Sequence, residues 1–167
     1  MSYSPSEWND HHALVKLITD YANAIDRRAW DELDRVFAPD ARIDYSEMGG
    51  AVGSYSEIKA WLPKALGFFP SYMHFVGNPR FEITGDKATG QIACFNPMLV
   101  PGLFGKRTVM LGLWYHDTYV RTADGWRIAS RREEKSYIHN MPIWMRIGVW
   151  LAVRKARKQA AATTRVG

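Results

Sequence analysis

The chain has 167 residues, of which 47% are apolar and 13% aromatic, and its formal net charge is +5. These values indicate one globular domain that can bury a core, and they exclude an intrinsically disordered chain. From Lys135 onward the sequence contains seven Lys or Arg residues and no Asp or Glu, which leaves a net charge of −2 on the residues before it. The positive charge therefore belongs to a tail, and we expect no nucleic-acid-binding surface on the body.

The number of cysteines and the N-terminal sequence help to predict the cellular compartment of the protein. Cys94 is the only cysteine, so no intramolecular disulfide can form, which agrees with a reducing cytoplasm. The first ten residues lack a basic segment followed by an apolar run, which argues against a signal peptide. No stretch reaches the roughly 20 apolar residues that a membrane-spanning helix needs. We therefore predict a cytoplasmic protein.

The chain opens with two predicted helices. Apolar residues recur at helical spacing over residues 14 to 25, and Asn9 or Asp10 is the candidate cap of this helix. Residues 30 to 37 show the same spacing, which predicts a second, shorter helix. Pro39 is expected to end it, because proline lacks the backbone N–H that a helix requires.

A strand and a third helix follow. Residues 41 to 45 alternate between apolar and polar, so Ile43 and Tyr45 are expected to face the core together. Ser54 and Glu57 have the spacing of a capping box, which predicts the start of the third helix. Pro63 is expected to kink or shorten this helix.

The second half of the chain changes to the two-residue period of β-strands. Strands are predicted at 73–76, 80–84, 88–95, 107–121 and 126–138, with a bulge or break at 77–79, a hairpin turn at 85–86 and an end to the third strand at Pro97. Three helices followed by a meander of strands indicate an α+β fold. The simplest packing is a cone-shaped α+β barrel, in which a curved antiparallel sheet wraps the three N-terminal helices and leaves a pocket in its mouth.

The last segment, residues 141–167, is predicted to be a basic helical tail attached to a body of residues 1–140. Pro142 can open a helix, residues 143 to 153 are almost wholly apolar, and basic residues follow at 154, 155, 157 and 158. We expect this helix to lie over the mouth of the cone or against a neighbouring subunit. The alternative is peripheral contact with anionic lipid, because an apolar face beside basic charge suits that use.

Three segments carry a resemblance to a known family. They are YANAIDRRAWDELDRVFAPDARIDY at 21–45, MHFVGNP at 73–79 and GWRIASRREEKSY at 125–137. With the order of the elements, they resemble the SnoaL-like group of the nuclear transport factor 2-like superfamily, closest to its scytalone dehydratase and bile-acid 7-alpha-dehydratase branch. Hexachlorocyclohexane dehydrochlorinase is a further relative. The resemblance covers roughly residues 10 to 138 and implies a homo-oligomer, with a trimer favoured over a dimer.

The resemblance also implies a catalytic set. The family's aspartate and histidine correspond to Asp26 and His74, the tyrosine of the bile-acid enzyme to Tyr21, and a tyrosine of scytalone dehydratase to Tyr45. The chain departs from the pattern where Asn96 replaces a catalytic aspartate of the bile-acid enzyme. Lys135, Met98 and Ile25 mark the other departures: Lys135 falls near that enzyme's site arginine, and Met98 and Ile25 fall where scytalone dehydratase has a histidine and a tyrosine.

These residue types suit an elimination. A histidine can take up a proton near neutral pH, and a carboxylate on its other ring nitrogen fixes the tautomer. A tyrosine can donate to a leaving hydroxyl. We predict a lyase of the dehydratase type that needs no metal or cofactor. Its substrate would be a small hydrophobic oxygenated compound such as a polyketide, steroid or aromatic, contacted by Trp61, Phe95, Asn96 and Lys135.

Two other readings stay open at this point. An isomerase or a C–C lyase could use the same dyad of Asp26 and His74, because related folds carry such activities. A non-catalytic module that binds small molecules or acts as a scaffold is the alternative of a different class, since a lone histidine on a strand is often structural.

Overall fold

The computed structural model describes residues 4–102 and 105–163 of the chain. Its α-helices are α1 (Pro5–Asp26), α2 (Tyr55–Gly67) and α3 (Ile143–Thr163), and short 3₁₀ helices lie at Trp30–Arg35 and Ser46–Met48. Its strands are β1 (Phe37–Asp44), β2 (Val52–Ser54), β3 (Ser71–Tyr72), β4 (Phe75–Thr84), β5 (Lys87–Gly102), β6 (Gly105–Thr122) and β7 (Gly125–His139). The predicted α+β order of the elements is confirmed.

Helix α1 begins earlier than the sequence analysis predicts. Ser4 is the N-cap: its hydroxyl accepts from the Glu7 backbone N–H at 3.3 Å, and the Glu7 carboxylate accepts from the Ser4 N–H at 2.8 Å. The prediction of a cap at Asn9 or Asp10 is therefore wrong. Asp10 instead accepts two 2.7 Å hydrogen bonds from Arg121, which ties α1 to the far end of β6.

The predicted second helix is a 3₁₀ turn that gives way to a strand. Phe37 and Pro39, assigned to the helix and its stop, both lie in β1. Strand pairing outweighs the helical spacing here, because Phe37 pairs with Ile128 and the Ile128 N–H donates to the Val36 carbonyl at 2.9 Å. Pro39 needs no partner for an N–H, and it lies where the register of β1 against β7 shifts.

The seven strands form one mixed sheet. Their order is β2-β1-β7-β6-β5-β3, and β4 also pairs with β5. The strands of the meander are antiparallel, as predicted. The prediction of an antiparallel sheet is wrong for the sheet as a whole, because β1 runs parallel to β7. The chain leaves β1, forms α2 and the meander, and returns to lie beside β1 in the same direction.

The meander strands are longer than predicted. Strand β5 continues through Pro97, which was predicted to end it, because the Pro97 carbonyl still accepts from the Met73 N–H at 3.2 Å. The predicted break near residues 77–79 is confirmed as a shift in register between Gly77 and Arg80, with Asn78 at a φ of 47°. The turn at Gly85 is confirmed as well.

The core lies between one face of the sheet and the two helices of the first half. The predicted apolar stripe of α1 is buried, and Tyr45 is buried beside Ile43 as the strand period predicts. The capping box of α2 is present, with Ser54 as the N-cap, and the helix continues past Pro63 to Gly67. This packing leaves a hollow between α1, α2 and the sheet, into which the functional side chains point.

Helix α3 follows Pro142, as predicted, and packs against the 3₁₀ helix at Ser46–Met48. Met145 and Val149 on its inner side help to close the hollow. Over residues 4–102 and 105–163, none of the helices combines the length and hydropathy required to cross a membrane. The division of the chain into a body and a tail near residue 140 stays a prediction.

Candidate active site

Asp26 and His74 are in direct contact. Asp26 is the last residue of α1, and His74 lies in the short link between β3 and β4. The Asp26 carboxylate lies 2.7 Å from His74 Nδ1, and its two oxygens also accept from the His74 backbone N–H at 3.1 Å and 2.9 Å. The carboxylate therefore holds both the backbone and the ring of His74. This is the arrangement in which a carboxylate fixes the tautomer of a histidine.

The second ring nitrogen of His74 meets Asn96. Asn96 Nδ2 lies 2.5 Å from His74 Nε2, and Asn96 Oδ1 is buried without a hydrogen-bond partner among the residues described. A neutral ring that donates Nδ1–H to Asp26 has its lone pair on Nε2, which accepts from the Asn96 amide. A half-turn of the amide would present Oδ1, the acceptor that a protonated ring requires. Asn96 can therefore form a hydrogen bond with His74 Nε2 whether the ring is neutral or protonated.

A cavity of about 270 Å³ lies in front of this pair. Apolar side chains from α2, the sheet and α3 form most of its wall, and its polar groups are few. Those groups belong to Tyr21, Tyr45, His74, Asn96 and Glu133. A mostly apolar pocket with a small set of converging polar groups is the usual form of a small-molecule site.

Tyr21 and Tyr45 meet at the back of the cavity. Their hydroxyl oxygens lie 3.0 Å apart, and both side chains are buried. Burial raises the pKa of Tyr21 and raises that of Tyr45 well above 10, although the Arg131 guanidinium opposes both shifts. Both phenols are therefore neutral at physiological pH. One hydroxyl donates to the other, which leaves one O–H that can donate a hydrogen bond into the cavity.

Glu133 is a cavity residue that the sequence analysis missed. It lies on β7 and lines the pocket together with His74 and Asn96. Burial raises the pKa of the Glu133 carboxyl to about 8; the Arg131 guanidinium opposes this rise, and Asp44 adds to it. At neutral pH this carboxyl is largely protonated, so it is a proton donor held in an apolar pocket.

A β-bulge explains why Glu133 was missed. Trp126 and Ile128 of β7 are buried, and simple alternation would then turn residues 130 and 132 inward. The register of β7 against β6 shifts at Ala129, between the pairs Tyr119–Ile128 and Thr118–Ser130. The shift moves the inward set to Arg131 and Glu133. The sequence did contain one indication of buried charge: five charged residues follow one another at 131–135, in a strand that begins with the buried Trp126.

Arg131 forms a sealed ion pair behind the tyrosines. Its guanidinium donates to the Asp117 carboxylate at 2.8 Å and 2.6 Å, and neither side chain is exposed. The Tyr119 hydroxyl donates to the same carboxylate at 2.9 Å. The guanidinium also stacks between the rings of Tyr21 and Tyr115, 4.0 Å and 4.1 Å from their centroids. This cluster supports Tyr21 from behind and contributes no group to the cavity wall.

The structure separates the four predicted substrate contacts into two pairs. Trp61 and Asn96 line the cavity. Phe95 lies on the outer face of the sheet, 39% exposed, because the two-residue strand period that turns Asn96 inward turns Phe95 outward. Lys135 is exposed beside Glu47, to which its backbone N–H donates at 3.1 Å. The predictions for Phe95 and Lys135 are therefore corrected.

The remaining histidines lie away from the cavity. His116 pairs with Glu134, with Nε2 and Oε2 at 2.7 Å, in a surface groove on the other side of the sheet. Among the side chains that the structure describes, no three His, Cys, Asp or Glu residues cluster as a metal site would require.

Comparison with known proteins gives this geometry a context. The family described as "SnoaL-like domain" matches residues 6–132. An uncharacterised protein of Mycobacterium tuberculosis is 47% identical over 134 residues, 80% of this chain and 90% of its own. A dehydratase of Pestalotiopsis microspora is 29% identical over 94 residues, 52% of this chain and 57% of its own.

Solved structures agree on the fold. The Kfla4162 protein of Kribbella flavida has a TM-score of 0.73 and 27% identity, covering 79% of this chain and 94% of its own. A hexachlorocyclohexane dehydrochlorinase of Novosphingobium barchaimii has a TM-score of 0.68 and 18% identity, covering 81% and 92%. The second likeness concerns the fold alone.

Proposed function

The chain belongs to the SnoaL-like family, as its sequence motifs predicted, and on this premise we propose that it is a lyase of the dehydratase type. Dehydratases and dehydrochlorinases are among its distant relatives. The observation that carries the proposal is the placement of His74, which lines an apolar cavity while Asp26 holds its Nδ1 and the Asn96 amide contacts its Nε2. A base fixed in this way suits the removal of a proton from carbon.

In the proposed reaction, His74 Nε2 takes a proton from a carbon next to a carbonyl group, after the Asn96 amide has moved aside. The electrons of that C–H bond form the new double bond, and the C–O bond to a neighbouring hydroxyl breaks. Glu133 supplies the proton with which the hydroxyl leaves as water. His74 then loses its proton to water and Glu133 regains one, which restores the starting state.

The tyrosines and the cavity wall support this sequence of steps. Tyr21 and Tyr45 are neutral donors beside Glu133, so either can hold the departing oxygen or the enolate oxygen by a hydrogen bond. The wall includes Trp61, Leu62 and Val109, which favour an apolar substrate over a sugar or a nucleotide. The size and lining of the cavity suit a compact hydroxylated carbonyl compound of the polyketide, steroid or aromatic class.

The test is a comparison of two histidine variants. Apolar β-hydroxy ketones are incubated with the protein in D₂O, and deuterium uptake and the unsaturated product are followed by NMR and absorbance. His74→Ala should lose turnover by about 1,000-fold or more while ligand binding persists. His116→Ala is the matched control, because it removes a histidine with the same 2.7 Å carboxylate contact outside the cavity.

The result also separates the alternative functions. Deuterium uptake at carbon without loss of water, abolished in His74→Ala, would identify an isomerase that uses the same base. Equal activity in His74→Ala and the wild type would contradict base catalysis by His74. Binding without turnover in any screen would favour a small-molecule-binding module.

A further inference from the structure

Helix α3 has two faces with different surroundings. Its inner side, with Met145 and Val149, closes the cavity, and Val149 packs directly on Gly49. Its outer side carries Ile143, Trp144, Ile147, Trp150 and Leu151, each between 53% and 67% exposed. These positions follow helical spacing, so they form one continuous apolar stripe. The contact of Trp144 with Phe68, itself 45% exposed, extends the stripe onto the end of α2.

Helix α3 contains basic residues and no acidic residues. Arg146 and Arg154 are exposed on the helix, and the Arg154 guanidinium lies 5.3 Å from the ring centroid of Trp150. The sequence adds Lys155, Arg157 and Lys158, and it contains no Asp or Glu after Glu134. The residues before Lys135 carry a net charge of −2, so the excess of positive charge belongs to this last part of the sequence.

We propose that the outer face of α3 docks on the surface of a bilayer that contains anionic phospholipid. A helix with an apolar stripe and neighbouring cations lies in the plane of the interface, with its apolar side chains below the headgroups. Tryptophan prefers this depth, because its ring is apolar and its indole N–H can still reach water. Arginine and lysine place their charges at the level of the lipid phosphates while their methylene groups stay in apolar surroundings.

The charge pattern favours a membrane over a second copy of the chain. In a twofold contact through this face, Arg146 and Arg154 of both copies would meet without an acidic side chain from α3 to neutralise them. On an anionic bilayer each cation instead faces a phosphate, and each contributes about fivefold to binding. The docking requires no particular reaction in the cavity, so it stands or falls separately from the proposed function.

The experiment is co-sedimentation of the full chain with vesicles of phosphatidylcholine, with and without phosphatidylglycerol. The wild type should sediment with the anionic vesicles, and less so as salt is raised. The double variant Ile147→Ser/Trp150→Ser should lose this binding through its apolar part. The double variant Arg146→Glu/Arg154→Glu should weaken it by about 25-fold or more, because two favourable charges are removed.

The matched control is Arg35→Glu/Arg80→Glu, which makes the same change in net charge at exposed positions away from α3 and should sediment like the wild type. Thermal unfolding verifies that all variants fold, and analytical ultracentrifugation gives their mass. Absence of sedimentation, or equal sedimentation of the control and the α3 charge variant, would overturn the proposal. A fall in mass with Ile147→Ser/Trp150→Ser would instead identify the face as a subunit contact.

Discussion

Two histidine–carboxylate pairs in this protein have the same contact distance and different surroundings. His74 Nδ1 lies 2.7 Å from Asp26, and His116 Nε2 lies 2.7 Å from Glu134. The His74 side chain is 8% exposed and lines an apolar cavity with its Nε2 against Asn96, whereas the His116 side chain is 31% exposed in a surface groove. The contact distance alone therefore does not distinguish a candidate base from a surface histidine.

The surroundings change what each pair can do. Water and salt screen the His116 pair, so it contributes little energy and can exchange its partners freely. The His74 pair is held by three hydrogen bonds to one carboxylate, and the only ring nitrogen left to take a proton is Nε2, which the Asn96 amide contacts. Restriction of this kind, more than proximity, is what proton transfer at carbon requires.

The largest expected effect comes from Asp26→Asn. The amide can donate to His74 Nδ1, which would move the ring proton to Nε2 and remove the lone pair from the cavity. We expect a loss of turnover of about 1,000-fold or more, as for the loss of a carboxylate that sets a tautomer. Nitrogen NMR of the imidazole should show the tautomer change even before a substrate is known.

Glu134→Gln is the matched change in the other pair. It should leave turnover and the His74 tautomer unchanged, because His116 lies outside the cavity. Equal losses in the two variants would mean that the protein's overall stability, and not the orientation of His74, explains the effect of Asp26→Asn.

The next effect concerns the sealed ion pair behind Tyr21. Asp117→Ala leaves the Arg131 guanidinium buried without its counter-charge, which should lower the free energy of unfolding by about 3–5 kcal/mol. Asp86→Ala breaks a salt bridge with Arg121 in which Asp86 is 78% exposed, and it should cost at most about 1 kcal/mol. Urea denaturation measures both. Similar costs for the two variants would contradict the assignment of Arg131 and Asp117 as a structural core pair.

The sequence was sufficient to predict the positions of residues that lie in short, recognisable motifs. Asp26 and His74 stand in segments whose neighbours fix their place in the fold, and the stripe of α1 and the capping box of α2 follow directly from spacing. The strand period placed Tyr45 in the core for the same reason. In each case the information is local, within a few residues of the side chain concerned.

The features that could not be predicted depend on distant pairing. The parallel contact of β1 with β7 joins residues about ninety positions apart, and it converts the apparent end of a helix into a strand at Phe37. The bulge at Ala129 exchanges the inward and outward sides of the strand for the residues that follow. Alternation therefore could not assign Arg131 or Glu133 to the interior. Pairing partners, and not local propensity, decide such positions.

Glu133 should make the stability of the protein fall with rising pH. Its pKa is raised from 4.5 to about 8 in the folded state, so the folded chain holds a proton that the unfolded chain has already lost above about pH 4.5. The stabilisation is complete below 4.5 and is lost as the pH rises through 8. A pKa shift of this size corresponds to a few kcal/mol.

Thermal unfolding at about pH 5 and about pH 9 tests this linkage. Glu133→Gln should raise the melting temperature relative to the wild type at the higher pH and change it much less at the lower pH. Glu82→Gln, at an exposed position, is the control and should show no such difference. A Glu133→Gln variant that differs from the wild type by the same amount at both pH values would contradict the raised pKa of Glu133.

The smallest effect on stability distinguishes two tyrosines whose hydroxyls each form a hydrogen bond within the fold. Tyr45→Phe removes the hydroxyl that lies 3.0 Å from Tyr21, and Tyr55→Phe removes one that donates to Asp34 at 2.6 Å outside the cavity. Each should lower the free energy of unfolding by about 1 kcal/mol, because one hydrogen bond is lost. Only Tyr45→Phe should also lower turnover, by about 100-fold if its hydroxyl holds the developing charge on oxygen. Equal turnover in the two variants would exclude the Tyr45 hydroxyl from the reaction.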